Sequence, residues 1–467
     1  MVKQTLFDQL TPVALYGQIK ELFPDTVTML FESVVNNSDG NFSFITIGDM
    51  ERVTYRDGVT LYKRGEEVES ISQDPFSFLQ KYYNSIDKDS YDELKLKLGF
   101  SFVDGFIGYI GYDMVQLFEP VLEPYMKNLH DNLDSPDLDL VRPSIIIAFS
   151  HKNSTLTIVV NDNRYLDRLD DIENTINRTY TPRGLKRAKL YGEGEYSIDE
   201  ERFKRLVIES KEMIKSGDIF QILISNRYTQ KGEIDPLSFY RLLRSKNPSP
   251  YLFLLDYEEF SICGSSPEVM VRLIDGDILL RPIAGTRKRG KTHIRDRELE
   301  EEMLNDPKER AEHLMLVDLG RNDVGRVAKS GTVKVTDMMR VERYSHVMHM
   351  VSDVEATIQE DKDAFDLFRA TFTAGTMTGA PKIRAMELIA EYERLKRGFY
   401  SGSVGYFAFN GDMDSSITIR TALIKRDSIT LQAGAGVVAD SIPELEYLEV
   451  QNKLKALLAT IKDMTKI

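Results

Sequence analysis

Apolar residues recur at helical spacing between residues 203 and 214. A capping-box pair, Ser197 with Glu200, precedes this pattern, and Gly217 follows it. The apolar positions lie three, four or seven residues apart, as on one helix face: Phe203, Leu206, Val207, Met213 and Ile214. The pattern predicts an amphipathic helix that starts after Ser197 and ends at Gly217.

Short apolar runs elsewhere predict buried strands, among them residues 42–47, 144–149, 156–160, 219–228 and 251–255. Strands mixed with helices predict an α+β or mixed α/β fold with large sheets. The stretch 181–196 is rich in glycine and charge and favours a linker. We therefore expect an N-terminal region, 1–180, and a C-terminal region, 195–465, which together form one compact unit.

Composition adds a broad class to this picture. The 467 residues are 42% hydrophobic and 29% charged, as in ordinary globular proteins. No apolar run approaches the roughly 18 residues of a membrane helix, and the first ten residues do not resemble a secretory signal. Cys263 is the one cysteine, which excludes disulfides and cysteine metal sites and favours the reducing cytoplasm.

The net charge of −14 argues against binding to nucleic acid or to an anionic membrane. Residues 287–297 are basic, but an acidic run, 298–302, follows them directly. This segment has no interleaved aromatic residues, so we expect a solvated loop.

Two predicted helices each carry a pair of glutamates one turn apart. Glu309 and Glu312 follow Asp306 and Pro307, and Glu446 and Glu449 follow a capping-box pair, Ser441 with Glu444. Four carboxylates from two helices suit a hard cation such as Mg²⁺. The alternative is two exposed helix faces, with Lys453 as a surface ion-pair partner of Glu449.

Two glycine-rich segments, PIAGT (282–286) and QAGAG (432–436), follow apolar strands. Their backbone N–H groups can approach an anion, although glycines for tight turns fit equally well. His349 shares strand parity with Val347, so it is either a core residue or a functional one. The motifs of zinc proteases, serine hydrolases and Walker-type nucleotide sites are missing from the sequence.

Seven strings occur in the order seen in the chorismate-utilising enzymes: PIAGTRKRG, EHLMLVDLGRND, VERYSHVMH, AGTMTGAPKIRAM, GSVGYF, ITIRTA and QAGAGVVADS. Within that family the chain resembles the large subunits of anthranilate synthase. The resemblance implies two large, mostly antiparallel sheets packed together, with helices outside and a cleft between the sheets.

The resemblance also implies roles for particular residues. Magnesium ligands are expected at Glu312 and Glu449, with Glu309 and Glu446 close by. The expected chorismate contacts are Tyr400, Arg420 and the backbone of Gly285, Thr286, Gly434, Ala435 and Gly436. Arginine suits a carboxylate because it stays charged and binds in a bidentate manner.

The implied reaction converts chorismate and ammonia into anthranilate and pyruvate, the first step of tryptophan biosynthesis. Glu268 is the expected general acid, His349 the proton-transfer group, and Thr376 lies nearby. Family members that add water carry a lysine where Gln221 stands, and aminodeoxychorismate synthases typically carry a lysine at Ala284. Ammonia is thus the expected nucleophile. Aminodeoxychorismate synthase, an enzyme of folate synthesis, remains the alternative.

Two segments, one in the N-terminal region and one in the C-terminal region, resemble parts of a feedback site for tryptophan. LFES (30–33) contains the matching positions Glu32 and Ser33, and NPSPY (247–251) contains Pro250 and Tyr251, with Leu252 directly after it. Sheet-edge packing would explain these residues too. The resemblance implies ammonia supplied by a glutaminase subunit, since no cysteine-centred glutaminase motif is recognisable. Residues 52–100 carry no motif that we can assign.

Overall fold

The computed structural model describes residues 1–33, 41–178, 180, 182–344 and 347–467. Ser345 and His346 of the YSHVMH run and Thr181 of the expected linker lie outside this part. The strands are β1 Val2–Leu6, β2 Thr28–Glu32, β3 Phe42–Ile47, β4 Glu51–Arg56, β5 Val59–Arg64, β6 Glu67–Ile71, β7 Gly105–Ile110, β8 Leu138–Arg142, β9 Ile145–Ser150, β10 Thr155–Val160, β11 Lys189–Leu190, β12 Glu195–Tyr196, β13 Gln221–Glu233, β14 Tyr251–Asp256, β15 Phe260–Ser266, β16 Val269–Ile274, β17 Asp277–Leu280, β18 Ile283–Lys288, β19 Lys334–Arg343, β20 Val347–Thr357, β21 Gly379–Ala380, β22 Ser403–Ala408, β23 Met413–Ile417, β24 Thr421–Lys425 and β25 Ser428–Val437.

The helices, in chain order, are α1 Pro12–Leu22, α2 Pro75–Tyr83, α3 Lys88–Leu98, α4 Val115–Phe118, α5 Glu123–Met126, α6 Leu169–Asn177, α7 Glu200–Lys215, α8 Pro236–Lys246, α9 His293–Asn305, α10 Pro307–Gly325, α11 Ala364–Thr371, α12 Lys382–Glu393 and α13 Pro443–Met464. Short 3₁₀ turns include Tyr112–Met114 and Gly375–Met377. Over the described residues, no helix is both long and apolar enough to cross a membrane.

Two large antiparallel sheets form the fold, as the sequence predicted. Over the described residues, the first sheet has 13 strands in the order β1-β10-β9-β3-β2-β14-β15-β24-β25-β13-β11, and β12 and β21 also pair with β13. The second has 12, in the order β18-β20-β17-β16-β23-β22-β7-β8-β4-β5-β6, and β19 pairs with β20. Each sheet contains strands from both halves of the chain.

Alternation along the strands explains why the sheets pack together. On β14, Phe253 and Leu255 join a core that also contains Ile107 and Phe407 of the second sheet. The intervening Leu254 points to the other face, into a core that the first sheet shares with α1, α7, α8 and α13. The first sheet is therefore buried on both faces, which favours its near-continuous apolar strands.

The predicted helices exist, but two of their expected caps were wrong. Asp199, not Ser197, caps α7 by accepting a hydrogen bond from the backbone N–H of Arg202. Ser197 instead bonds Asn226 on β13. The N-cap position of α13 is Ile442, because Ser441 turns back to accept a bond from the backbone N–H of Val438. A capping signature thus marked the right region but the wrong residue.

Two predicted loops are partly regular structure. The basic segment 287–297 contributes residues to β18 and α9, and Arg289 is held by a bidentate ion pair with Asp296. Neighbouring acidic residues therefore turn an expected solvated loop into an ordered one. The expected linker likewise contains β11 and β12, which pair with β13.

Candidate active site

The candidate site lies where the chain crosses between the two sheets. Glu268 lies between β15 of the first sheet and β16 of the second, and Arg420 lies between β23 of the second and β24 of the first. The two crossovers are bonded to each other: the Ile417 N–H donates to the Glu268 carbonyl at 3.0 Å, and the Ser265 N–H donates to the Arg420 carbonyl at 3.2 Å. Side chains of both sheets therefore meet here.

Glu268 is a buried carboxyl group, only 7% exposed. Burial raises its pKa to about 8, although the hydrogen bond from Thr376 and the charge of Lys453 oppose the shift. The Thr376 hydroxyl donates to Glu268 Oε1 at 2.9 Å. Because this pKa lies above neutrality, Glu268 holds a proton at pH 7 that it can donate.

His349, on β20, is a buried and neutral imidazole. Burial lowers its pKa to about 4, and the charges of Arg420 and Lys453 act in the same direction. Its Nδ1 lies 3.2 Å from the Gly285 carbonyl and 3.0 Å from the Thr286 hydroxyl. A carbonyl only accepts hydrogen bonds, so Nδ1 carries the ring proton and Nε2 is left to accept one.

Arg420 is a half-buried cation without a carboxylate partner among the residues that the structure describes. Its backbone lies in the left-handed region, at φ 51°, which costs a non-glycine residue about 1 kcal/mol or more. Burial lowers the pKa of Arg420, and nearby Tyr400 opposes that shift. An unpaired guanidinium held in a strained backbone is suited to binding an anion.

The two glycine-rich segments, 282–286 and 432–436, lie next to Tyr400 and His349 of the candidate site. A Cβ at Gly434 would lie 2.6 Å from the Leu223 side chain and 3.1 Å from the Tyr400 hydroxyl, so the site requires glycine there. Gly285, at φ 59°, also has the conformation that favours glycine. Ala435 and Gly436 continue β25 beside β13, which begins at Gln221.

The four predicted metal ligands come from helices on opposite sheets. Glu309 and Glu312 are on α10, which packs on β18 and β20, whereas Glu446 and Glu449 are on α13, which packs on β25. Burial and the charges of Glu309 and Glu449 raise the pKa of Glu312. Burial and Glu449 also raise the pKa of Glu446. The two glutamate pairs are therefore close enough to repel each other. This proximity disfavours the alternative that they lie on two separate exposed helix faces.

These carboxylates are not arranged as a finished metal site. Within the described ranges, no three His, Cys, Asp or Glu side chains converge closely enough to hold an ion. Arg287 binds Glu309 at 2.7 Å, and the amide of Gln221 donates to Glu312 at 3.3 Å. The other amide atom, Gln221 Oε1, is buried and has no hydrogen-bond partner in the described chain.

Lys453 is the site residue whose position the sequence did not indicate. Its ammonium group binds Glu449 at 2.7 Å and the Gly434 carbonyl at 2.9 Å. Its charge lowers the pKa values of Glu268, Glu312, Glu446 and His349. The spacing from Glu449 correctly predicted the ion pair, but the pair faces the cleft and is not confined to the surface.

The two segments expected to bind tryptophan lie side by side on the first sheet. Glu32 on β2 is the register partner of Leu252 on β14. The Glu32 carboxylate accepts hydrogen bonds from Tyr240 at 2.6 Å and from Arg244 at 2.9 Å. Tyr251 reaches the second sheet, where its hydroxyl donates to Asp414 at 2.9 Å. Ser33 and Pro250 are half-buried next to these strands.

Comparisons with known proteins agree with this geometry. Residues 32–459 match the model of the chorismate binding enzyme family. Anthranilate synthase component 1 of Aquifex aeolicus is 41% identical over 473 residues, which cover 98% of this chain and 94% of the relative. Component 1 of Acinetobacter calcoaceticus is 41% identical over 478 residues, with the same coverage.

Solved structures give the same family. Anthranilate synthase component I from Streptococcus pneumoniae superimposes with a TM-score of 0.75 at 31% identity, over 97% of this chain and 99% of that one. The menaquinone-specific isochorismate synthase of Escherichia coli, 18% identical, shares the fold with a TM-score of 0.73 over 99% of this chain and 94% of that one. This chain therefore belongs to the chorismate-binding enzyme family, as a relative of anthranilate synthase component 1.

Proposed function

We propose that this chain converts chorismate and ammonia into anthranilate and pyruvate, as the synthase subunit of an anthranilate synthase. One observation carries the proposal most directly: a protonated Glu268 and a neutral His349 border the same cleft as Arg420, a cation without an acidic partner among the described residues. The names of relatives at about 40% identity support the same reaction.

Substrate binding rests on two cations, Arg420 and Lys453, whose charges both act on His349. We assign the enolpyruvyl carboxylate of chorismate to Arg420 and Tyr400. The Arg420 guanidinium lies near the Tyr400 side chain, which acts on its pKa. Lys453 supplies positive charge near the ring carboxylate, where the acidic helices would otherwise repel it. Backbone groups of Gly285, Thr286 and 434–436 line the remaining walls.

Glu268 acts as the general acid in the first step. It donates its proton to the C4 hydroxyl of chorismate, and the C4–O bond breaks to release water. At the same time ammonia forms a bond to C2 and the ring double bonds shift toward C4. The new C2 ammonium group then loses one proton, which restores the acid. The Thr376 hydroxyl holds the Glu268 carboxyl in place through its 2.9 Å hydrogen bond. A positioned carboxylic acid of this kind contributes about 10² to 10⁴ in rate.

His349 acts as the base in the second step. Its free Nε2 accepts the proton from C2 as the C3–O bond breaks and the ring becomes aromatic. The enolpyruvyl group leaves as the enolate of pyruvate, which takes up a proton on its methylene carbon to give pyruvate. The bond between Nδ1 and the Gly285 carbonyl fixes the tautomer that this step needs. Aromatisation makes the step effectively irreversible.

The carboxylate set suits magnesium in its chemistry. The charges of Glu309 and Glu449 raise the pKa of Glu312, and that of Glu449 raises the pKa of Glu446. A divalent cation between the helices would relieve this repulsion. We assign Glu312 and Glu449 as ligands, with Glu309 and Glu446 next to them. A bound magnesium ion would hold the ring carboxylate and help the C4 hydroxyl to leave.

Two side chains favour ammonia over other nucleophiles. Gln221 has no basic group with which to activate water, which argues against an isochorismate synthase. Ala284 has no amine that could attack C2, which argues against the usual aminodeoxychorismate synthases. Cys263 is buried and burial raises the pKa of its thiol, so it is a poor nucleophile for glutamine hydrolysis.

The remaining assignments follow from this function. We propose that a glutaminase subunit supplies the ammonia and that the enzyme works in the cytoplasm. Tryptophan would bind at Glu32, Ser33, Pro250, Tyr251 and Leu252 and inhibit the first step of its own synthesis. The division into regions 1–180 and 195–465 remains a prediction.

The test is to mix the purified chain with chorismate, MgCl₂ and an ammonium salt and to follow anthranilate fluorescence. We expect steady anthranilate formation, and none when glutamine replaces ammonium without a partner subunit. Accumulation of a non-aromatic amino compound would favour aminodeoxychorismate synthase and overturn the proposal. Turnover of glutamine by the chain alone would contradict the need for a glutaminase.

A further inference from the structure

A fully buried arginine lies beneath the candidate site. Arg397, between α12 and β22, is 1% exposed, and all five of its N–H donors have acceptors. Two N–H groups bind the Glu393 carboxylate, at 2.8 and 2.6 Å. The others reach the carbonyls of Leu223 at 2.9 Å and Met377 at 2.8 Å, and the Ser401 hydroxyl at 3.4 Å. The guanidinium plane is therefore fixed on every side.

Glu393 extends the same network to β13. Its Oε1 accepts hydrogen bonds from both the backbone N–H and the hydroxyl of Ser225, at 2.8 and 2.9 Å. Leu223 and Ser225 alternate along the strand that begins at Gln221. The Arg397–Glu393 pair thus forms hydrogen bonds with β13 at Leu223 and at Ser225, within a few residues of Gln221.

The acceptors belong to three segments that carry proposed site residues. Met377 directly follows Thr376, which binds Glu268. The Arg397 guanidinium carbon lies 5.8 Å from the ring centroid of Tyr400 and 4.9 Å from that of Tyr112. Backbone pairing between β13 and β21 already joins the segments of Gln221 and Thr376. The planar guanidinium contacts both of these segments and that of Tyr400 as well.

We propose that Arg397 and Glu393 are positioning residues that hold these three segments in the geometry needed for catalysis; this inference rests on the proposed function. A buried ion pair adds little net stability, because desolvation offsets its attraction, so fixing geometry is the better explanation for it. Lysine cannot replace the arginine, since an ammonium group has three donors and no planar fork.

The experiment compares Arg397→Lys with wild type in the ammonium-dependent assay, well below each protein's melting temperature. A misplacement of about 1 Å can cost roughly 10² in rate, so we expect kcat to fall about 100-fold. The KM for chorismate should change less than about threefold, since Arg420 and Lys453 remain in place. A purely structural arginine would lower the melting temperature and leave kcat of the folded fraction unchanged.

Arg142→Lys is the matched control. Arg142 forms a similar bidentate pair with Asp104, at 2.6 and 3.0 Å, on the far strands of the second sheet. We expect this variant to lose comparable stability but to keep its kcat within about threefold. If Arg397→Lys does not fold, Glu393→Gln is judged by the same criteria.

The outcomes separate the two proposals. Near wild-type kcat in folded Arg397→Lys or Glu393→Gln would overturn the positioning role and leave the proposed function intact. An equal loss of kcat in the Arg142 control would also overturn it. A wild-type chain that makes no anthranilate would instead overturn the proposed function.

Discussion

Glu268 owes its proposed role to burial, which makes activity depend on pH. Its pKa of about 8 means that the acid form is present at neutrality and is lost as the pH rises through 8. We expect kcat, compared at equal free ammonia, to fall above about pH 8. Glu268→Gln should lower kcat by about 10² to 10⁴ and remove this limb of the profile. If kcat of the variant still falls above about pH 8, a group other than Glu268 causes that fall.

Two substitutions at Arg420 distinguish its role in substrate binding from the strain of its backbone. Both Arg420→Gly and Arg420→Ala should raise the KM for chorismate at least about tenfold, because a hydrogen bond to a charged group contributes about 1.5–3 kcal/mol. Glycine tolerates the backbone at φ 51° better than alanine does. Denaturant unfolding should therefore give Arg420→Gly a free energy of unfolding about 1 kcal/mol higher than that of Arg420→Ala. Unchanged KM in both variants would exclude Arg420 from the substrate site.

At the residue scale the sequence proposed candidate side chains but did not indicate their surroundings. Resemblance gave Glu268 and His349, but their pKa values come from burial by residues distant in sequence. Lys453 was interpreted as a surface partner, because its spacing from Glu449 says nothing about which way the helix faces. Arg397 carried no signal at all: its acceptors include Leu223 and Met377, which only the folded chain brings together.

The helices α10 and α13 bring the acidic pairs together from opposite sheets. We expect Glu449→Gln to weaken magnesium binding at least about tenfold, measured by calorimetry with chorismate present, because it removes one charged oxygen ligand. Glu444→Gln, an exposed change in the first turn of the same helix, is the control and should bind magnesium normally. Equal magnesium affinity in both variants would count against the assigned ligands.

The strands β2 and β14 form the proposed tryptophan segment. The chain contains no tryptophan, so the fluorescence of added tryptophan reports binding without background. We expect saturable binding, weakened at least about tenfold in Glu32→Gln, which removes the charge that faces Arg244. Glu66→Gln, in an exposed hairpin, should bind as wild type does. A lack of saturable binding by the wild-type chain would contradict the regulatory site.

Elements were predicted more reliably than their ends. Apolar spacing located α7, β13 and β14, because burial of one face or both leaves a periodic trace. The caps differed because Ser197 and Ser441 found bonding partners, Asn226 and the Val438 N–H, that compete with the helix end. The basic segment became ordered through the Arg289–Asp296 pair, whose geometry the sequence does not specify.

The whole molecule joins distant parts of the chain, and this arrangement could not be derived from local patterns. β2 pairs with β14, and β7 pairs with β22, across more than 200 residues. Such pairings depend on which faces fit after collapse, not on local propensity. The two-sheet prediction came from the resemblance. Its consequence is functional, since the cleft needs both sheets and the crossovers at Glu268 and Arg420.

The central claim concerns the reaction of the entire chain. The most direct measurement supplies chorismate, MgCl₂ and ¹⁵N-labelled ammonium to the purified protein and quantifies chorismate, anthranilate and pyruvate together. We predict that anthranilate and pyruvate form in equimolar amounts as chorismate is consumed and that the anthranilate nitrogen is ¹⁵N. Consumption of chorismate without pyruvate, or a product that carries a new hydroxyl group in place of nitrogen, would contradict the account.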